Sequence, residues 1–169
     1  MTDMIKFWQG EHQSSSAFLS NFYHHAFVAP DGNGHMVTFE FSEQYFMYLK
    51  ALHFKEPDTA KYILDNPMLR PIDYKHLGRK LPNYDVYGPS WESSRVKVMA
   101  KVVYYKFRNP ELKDMLLKTG DSYLVEASPY DSYWGAGMSA DKIYKVEDIK
   151  GSNNLGKLIM AVRSKIKNG

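Results

Sequence analysis

The stretch Ser42-Glu43-Gln44-Tyr45-Phe46-Met47-Tyr48-Leu49-Lys50 constrains the fold more than any other part of the chain. Wound as a helix at about 100° per residue, it sets Glu43, Met47, Lys50 and Phe54 in one narrow sector. Tyr45, Tyr48, Leu49 and Leu52 cover the opposite side. A helix that is apolar all round belongs in an interior, where an isolated charge costs too much to keep without a partner or a purpose. Three readings follow. Glu43 and Lys50 face an internal cleft that holds something polar, or form an internal ion pair, or snorkel to solvent past their apolar neighbours. Two turns separate them, a rise of roughly 10.5 Å, which is long for direct pairing and favours the cleft.

A chain of 169 residues makes one domain, 1–169, the default, with length enough for a real core. At 44% hydrophobic and 24% charged, the composition is that of a folded globular protein. The aromatic share of 15% suits a core and equally suits a site that stacks flat rings. With no cysteine, disulfides, thiolate metal sites and cysteine nucleophiles are excluded. No apolar run has the length of a membrane span, and Met1-Thr2-Asp3-Met4-Ile5-Lys6 lacks the long apolar segment of a signal peptide. A cytoplasmic protein with no membrane contact is the expectation. A formal charge of +3 is compatible with phosphorylated substrates and too small to establish nucleic-acid binding.

The first forty residues read as short strands and loops: Lys6-Phe7-Trp8, Phe18 to Tyr23, a turn at Asp31-Gly32-Asn33-Gly34, and the alternating Val37 to Phe41. Ser42 suits the N-cap of the helix above, with Glu43 favoured in its first turn. Further helices are expected from Pro57-Asp58 to Asn66-Pro67, over Ile72 to Lys80, and from Trp91 to Phe107 with Ser90 as cap and Val96, Met99, Val102 and Val103 buried. Asn109-Pro110 starts another that Thr119-Gly120 ends. Tyr123 to Ala127 reads as a strand. Leu155, Leu158, Ile159, Val162 and Ile166 mark a final helix. The fold class is α+β, predominantly helical, with a few short strands.

Three further elements carry chemistry. Ser128 to Gly137 is an aromatic, glycine-rich loop that sets Asp131 beside Trp134, with Gly135 allowing close backbone approach; the plainer reading is a tight turn in which Asp131 bonds its own backbone. Arg79, after Gly78, matches phosphate oxygens bidentately, or simply decorates a helix end. Trp91 can stack a base or ribose, or be an ordinary core residue. The six histidines show no His-x-x-x-His spacing, so no metal is expected. Neither Gly-x-x-x-x-Gly-Lys-Ser/Thr nor Gly-x-Gly-x-x-Gly occurs, and P-loop and dinucleotide-binding readings have no support.

In chain order these motifs resemble the YbiA-like family, also called NADAR: Phe18-Leu19-Ser20-Asn21-Phe22, Ser42 to Phe46 with Lys50, Gly78-Arg79, Trp91-Glu92-Ser93, Lys106-Phe107, Leu124-Val125-Glu126, Asp131 to Gly135, and Asn153 before Leu155-Gly156. The resemblance covers nearly the whole chain from residue 18 onwards. It implies a single domain with N-glycosidase chemistry, cleaving ribose–nitrogen bonds in phosphorylated ribosylamino-pyrimidine intermediates of riboflavin synthesis or in ADP-ribose attached to a base such as guanine. The implied substrates are phosphorylated ribosyl or ADP-ribosyl compounds, ADP-ribosylated nucleic acid among them, and no cofactor is implied. Carried over position by position, the family pattern makes Glu43, Lys50 and Asp131 catalytic. It gives substrate contacts to Asn21, Arg79, Trp91, Glu126, Trp134, Gly135 and Asn153. Two segments depart from it: Lys80 to Pro89 is longer and more aromatic, and about ten further residues, Met138 to Asp148, follow the Trp134-Gly135 loop. Both are expected to reshape the rim of a cleft.

Cleaving such a bond builds positive charge on the anomeric carbon and negative charge on the departing base, which calls for a carboxylate near the sugar and a nucleophile. Glu43 is the first choice for acid/base, with Asp131 or Glu126 orienting the substrate. Lys50 either binds phosphate or, as a neutral amine, forms a Schiff base with the opened ribose. Two rivals use the same residues differently. One is a non-catalytic module that binds ADP-ribose or a nucleotide; the other is an interaction protein whose basic surface touches nucleic acid, which the salt dependence of binding would reveal.

Overall fold

The computed structural model describes residues 2–9 and 14–169. Two compact units emerge: His24–Asn109, and Met1–Tyr23 together with Pro110–Gly169.

The first of these is built around the apolar helix. A hairpin of β2 (Phe27–Pro30) and β3 (Met36–Phe39) pairs antiparallel, with Phe27 opposite Phe39. Asp31 shapes its turn, Oδ1 accepting from Asn33 N at 2.8 Å and His35 N at 2.9 Å, while Gly34 takes φ +84°. Helix α1 (Ser42–His53) follows, buried from Ser42 to Tyr48. Ser42 is its first helical residue rather than its cap, and extended Phe41 precedes it. Gln44 shares the work at this end: fully buried, it accepts from Glu40 N at 2.8 Å and donates to Ile63 O at 3.1 Å. An amide with both ends satisfied is what burial demands.

Helices α2 (Pro57–Asp65) and α3 (Pro71–Arg79) each begin on a proline, whose missing N–H costs nothing at N1. Both pack against α1. Gly78 lies where an added Cβ would run into Met47 Sδ, so a side chain there would force the thioether or the helix to shift. The long helix α4 runs Tyr84–Lys106 and starts seven residues before the expected Trp91. Gly88-Pro89 conceals that start in the sequence, since proline beyond the first turn forfeits a backbone bond. Packing overrides the local preference here: the Tyr84 ring lies 5.9 Å from that of Phe54. Ser90 consequently sits inside the helix, and Val96, expected in the core, is 38% exposed, whereas Met99, Val102 and Val103 are buried.

In the second unit β1 (Met4–Phe7) pairs parallel with β4 (Tyr123–Glu126), Phe7 opposite Glu126. Phe18 to Tyr23, expected as extended, forms a 3-10 turn at Ala17–Leu19 with all three residues buried, followed by turns. Helix α5 (Pro110–Leu117) buries Leu112 and Leu116, and Gly120 at φ +62° follows it in the left-handed region. Helix α6 (Asn154–Asn168) lies on β4 and buries Leu155, Gly156, Ile159 and, unforeseen, Arg163. Arg163 donates to Thr119 Oγ1 and Ser122 O, both at 2.8 Å. The segment Met138 to Asp148 contains two 3-10 turns, and Ile143 in it is fully buried against Val125, Ala127 and Ala136.

Candidate functional site

The first unit brings Glu43, Lys50, Arg79 and Trp91 into one neighbourhood. Glu43 opens α1 and is only 6% exposed. Two turns on, the Lys50 ammonium lies 5.6 Å from the Trp91 ring centroid and 5.7 Å from that of Phe54. Such a floor attracts a cation through the ring quadrupoles but strips its water. Burial accordingly holds the Lys50 amine below the usual lysine range; Glu43 and then Glu92 oppose the shift, while Arg79 and Arg95 add to it. The neutral, nucleophilic form is favoured more than on a surface lysine.

Trp91 is itself buried, with Phe46 at 5.4 Å, His53 at 5.5 Å and Phe54 at 6.3 Å. Its rim is thus part of the core while its face meets Lys50. Arg79 is exposed at the end of α3, placed by the Gly78 contact with Met47.

Sequence reasoning missed the α4 partners of this cluster. Tyr84, Gly88, Glu92 and Arg95 fall on one helical row. Tyr84 Oη donates to one Glu92 carboxylate oxygen and Arg95 Nη2 donates to the other at 2.9 Å. An added Cβ at Gly88 would meet the Tyr84 ring at 2.5 Å, so glycine is what lets that ring lie along the helix. The signal is a spacing of four, four and three, which a helix beginning at Trp91 does not contain.

The second unit gathers Glu126, Asp131, Trp134, Gly135 and Asn153. Asp131 Oδ1 accepts from Tyr133 N at 3.0 Å and Trp134 N at 2.8 Å, the tight turn weighed above. That turn aligns its carbonyls on the start of α6: Tyr133 O accepts from Asn154 N at 3.2 Å and Trp134 O from Leu155 N at 3.0 Å. The helix has no side-chain cap, and these carbonyls satisfy two of its orphan N–H groups. Asn153, buried and left-handed at φ 48°, accepts from Glu126 N at 3.0 Å and donates to Leu124 O at 2.9 Å. Its amide therefore fixes the end of β4 that carries Glu126. Gly135 is squeezed between Glu126 O and Asp131 O, which a Cβ would meet at 2.8 and 2.9 Å. Trp134 is half-buried and meets Tyr133 edge-on at 4.9 Å. Asn21, 8% exposed, lies just past the Ala17–Leu19 turn.

Among the described residues no group of three His, Asp or Glu side chains is placed to hold a metal ion, and no helix is long and apolar enough to cross a membrane.

Comparison with known proteins places these features. The chloroplastic riboflavin biosynthesis protein PYRR of Zea mays is 32% identical over 152 residues, 88% of this chain but only 23% of the maize protein. The chain therefore spans less than a quarter of that relative. An N-glycosidase of Acanthamoeba polyphaga mimivirus is 35% identical over 126 residues, 72% of this chain and 71% of the viral one. The solution structure of the E. coli protein YbiA superposes with a TM-score of 0.73 at 27% identity, covering 99% of this chain and 88% of that one. The sequence pattern of the NADAR domain matches residues 6–167, and the chain belongs to the NADAR family.

Proposed function

We propose that this protein is an N-glycosidase that hydrolyses a ribose–nitrogen bond, in a phosphorylated ribosylamino-pyrimidine or in ADP-ribose attached to a base such as guanine. The observation that carries this is the Lys50 amine, held over Phe54 and Trp91 with its pKa lowered by burial, on the same helix as buried Glu43. Relatives named N-glycosidases support the reaction class.

The chemistry balances without a cofactor. Glu43, as the acid, protonates the ring oxygen as the C1–O bond breaks, which leaves an open-chain iminium between C1 and the base nitrogen. The neutral Lys50 amine adds to C1 and passes one of its protons to the base nitrogen, and the base departs as its amine, leaving the protonated lysine imine. Water then hydrolyses the lysine imine, freeing the aldehyde, which recloses to ribose. Arg79 binds phosphate oxygens and Trp91 stacks against the substrate. The catalytic role that the family pattern gives Asp131, and the substrate contacts it gives Asn21, Glu126, Trp134, Gly135 and Asn153, belong to the same proposal.

The test is incubation with each of the two substrate classes, following base release by chromatography, with cyanoborohydride present in a parallel sample. The expected result is release from one class and a reduced adduct on Lys50, seen as a mass increase. Release without an adduct, with Lys50→Arg fully active, would make Lys50 a phosphate anchor and leave Glu43 to activate water. Tight binding without release from either class would reduce the protein to a binding module.

A further inference from the structure

In the segment Lys80 to Pro89, read from the sequence as a departure from the family pattern, Tyr84 bonds Glu92 beside the Lys50 neighbourhood. We infer that Tyr84 and Glu92 are positioning residues: Tyr84 pins the Glu92–Arg95 ion pair along α4, and the pair acts on the reaction through the charge carried by the Lys50 amine.

The geometry supplies each link. Glu92 has both carboxylate oxygens engaged, one by the Tyr84 phenol and one by Arg95 Nη2. Glu92 is 44% exposed, so the bonds at both oxygens, rather than burial, are what hold its carboxylate along α4. Tyr84 is anchored in turn, its ring on Phe54, the same ring that lies under the Lys50 ammonium. Trp91 completes the floor and is the immediate chain neighbour of Glu92. The charges acting on the amine are Glu43 from its own helix, Arg79 from α3, and Glu92 and Arg95 from α4. His53, on the same helix, contacts Trp91 edge-on and bonds Ser90 at 2.8 Å. Glu92 stabilises the ammonium and Arg95 the free amine, so this pair sets two opposing influences side by side.

That opposition gives a readout which loss of structure cannot imitate. This inference rests on Lys50 being the reacting amine, so the experiment measures the amine both with and without turnover. Competitive labelling of the intact protein with acetic anhydride across pH, read by peptide mass spectrometry, titrates Lys50 directly. Glu92→Gln is expected to move that titration down by on the order of half a pH unit and Arg95→Gln to move it up by a similar amount. The double variant is expected to return close to the parent. Tyr84→Phe, which keeps the ring on Phe54, is expected to shift it in the direction of Glu92→Gln but by less. In the enzyme assay, the acidic limb of the kcat/KM profile is expected to follow the labelling curve in each variant. If the variants shift labelling and no riboside is cleaved, the positioning role stands and the N-glycosidase reading fails. If cleavage occurs but Glu92→Gln and Arg95→Gln leave both curves in place, or move them the same way, the positioning role is overturned.

Discussion

Glu43 and Lys50 sit where charge is disfavoured, and the two respond differently. A buried carboxyl exchanges protons with a bound sugar without competition from bulk water, and a desolvated amine keeps its lone pair available. Glu43→Gln preserves volume and hydrogen bonding but neither donates nor accepts the catalytic proton. Turnover is expected to fall by roughly 10² to 10⁴-fold with the melting temperature nearly unchanged; an unfolded variant would instead make Glu43 a structural residue. The two tryptophans divide by burial. Trp91 is 4% exposed amid Phe46, His53 and Phe54, so Trp91→Ala is expected to cost about 3–5 kcal/mol of stability as well as activity. Half-buried Trp134 is expected to behave otherwise. Its alanine variant should raise KM, with a stacking loss of about 1–3 kcal/mol in substrate affinity, and melt close to the parent. Calorimetry beside steady-state kinetics separates the two outcomes. Asp131 shows how one side chain serves two levels, since the bonds that make its turn also present the carbonyls that cap α6.

Helices α1 and α3 are matched through a single missing side chain. Gly78→Ala places a methyl group into Met47 Sδ and forces either the thioether or the helix to move. A cost of about 1–3 kcal/mol is expected from such overpacking, together with a raised KM, because Arg79 adjoins the displaced residue. Met47→Ala in the same chain opens the space and is expected to recover a good part of the stability, a non-additivity that a double-mutant cycle measures. Additive losses would show that Gly78 matters for another reason. At the far end of α4, Lys106 is 2% exposed and burial pushes its amine down to about 7. Unfolded, the same amine keeps its proton up to about pH 10.4. Between those values the unfolded chain binds more protons, so this residue's penalty is full below pH 7 and fades as pH rises towards 10. Lys106→Met is therefore expected to raise the melting temperature most near pH 6 and progressively less in alkaline buffer. A shift equal at every pH would assign the effect to packing alone.

For the whole molecule, what could be read from the chain followed the range of the forces involved. Helices α2 and α5 carry their own punctuation, Pro57 and Pro110 at their starts and Asn66 and Gly120 near their ends, so local chemistry sufficed; α3, expected over Ile72 to Lys80, runs Pro71–Arg79. The parallel pairing of β1 with β4 joins residues 4–7 to 123–126, and no periodicity encodes a partner that distant. Within the site, Glu43 and Lys50 stood out as charges on an apolar helix. Tyr84, Glu92 and Arg95 were hidden because Gly88-Pro89 disguised the first two turns of α4, whose stability comes from packing on Phe54. The same inventory of side chains bears on how the reaction is powered. In the proposed reaction a proton donor is needed at the ring oxygen and a nucleophile at C1, the two roles proposed for Glu43 and Lys50. Metal assistance would need a ligand set; the chain has no cysteine, and no three described His, Asp or Glu side chains converge. Turnover is therefore expected to stay within about twofold of its starting value after exhaustive chelation and gel filtration, a change below what loss of a Lewis acid produces. The comparison should include added magnesium, which can bridge substrate phosphates without protein ligands. A loss of activity on chelation that magnesium or zinc restores would overturn the metal-free scheme.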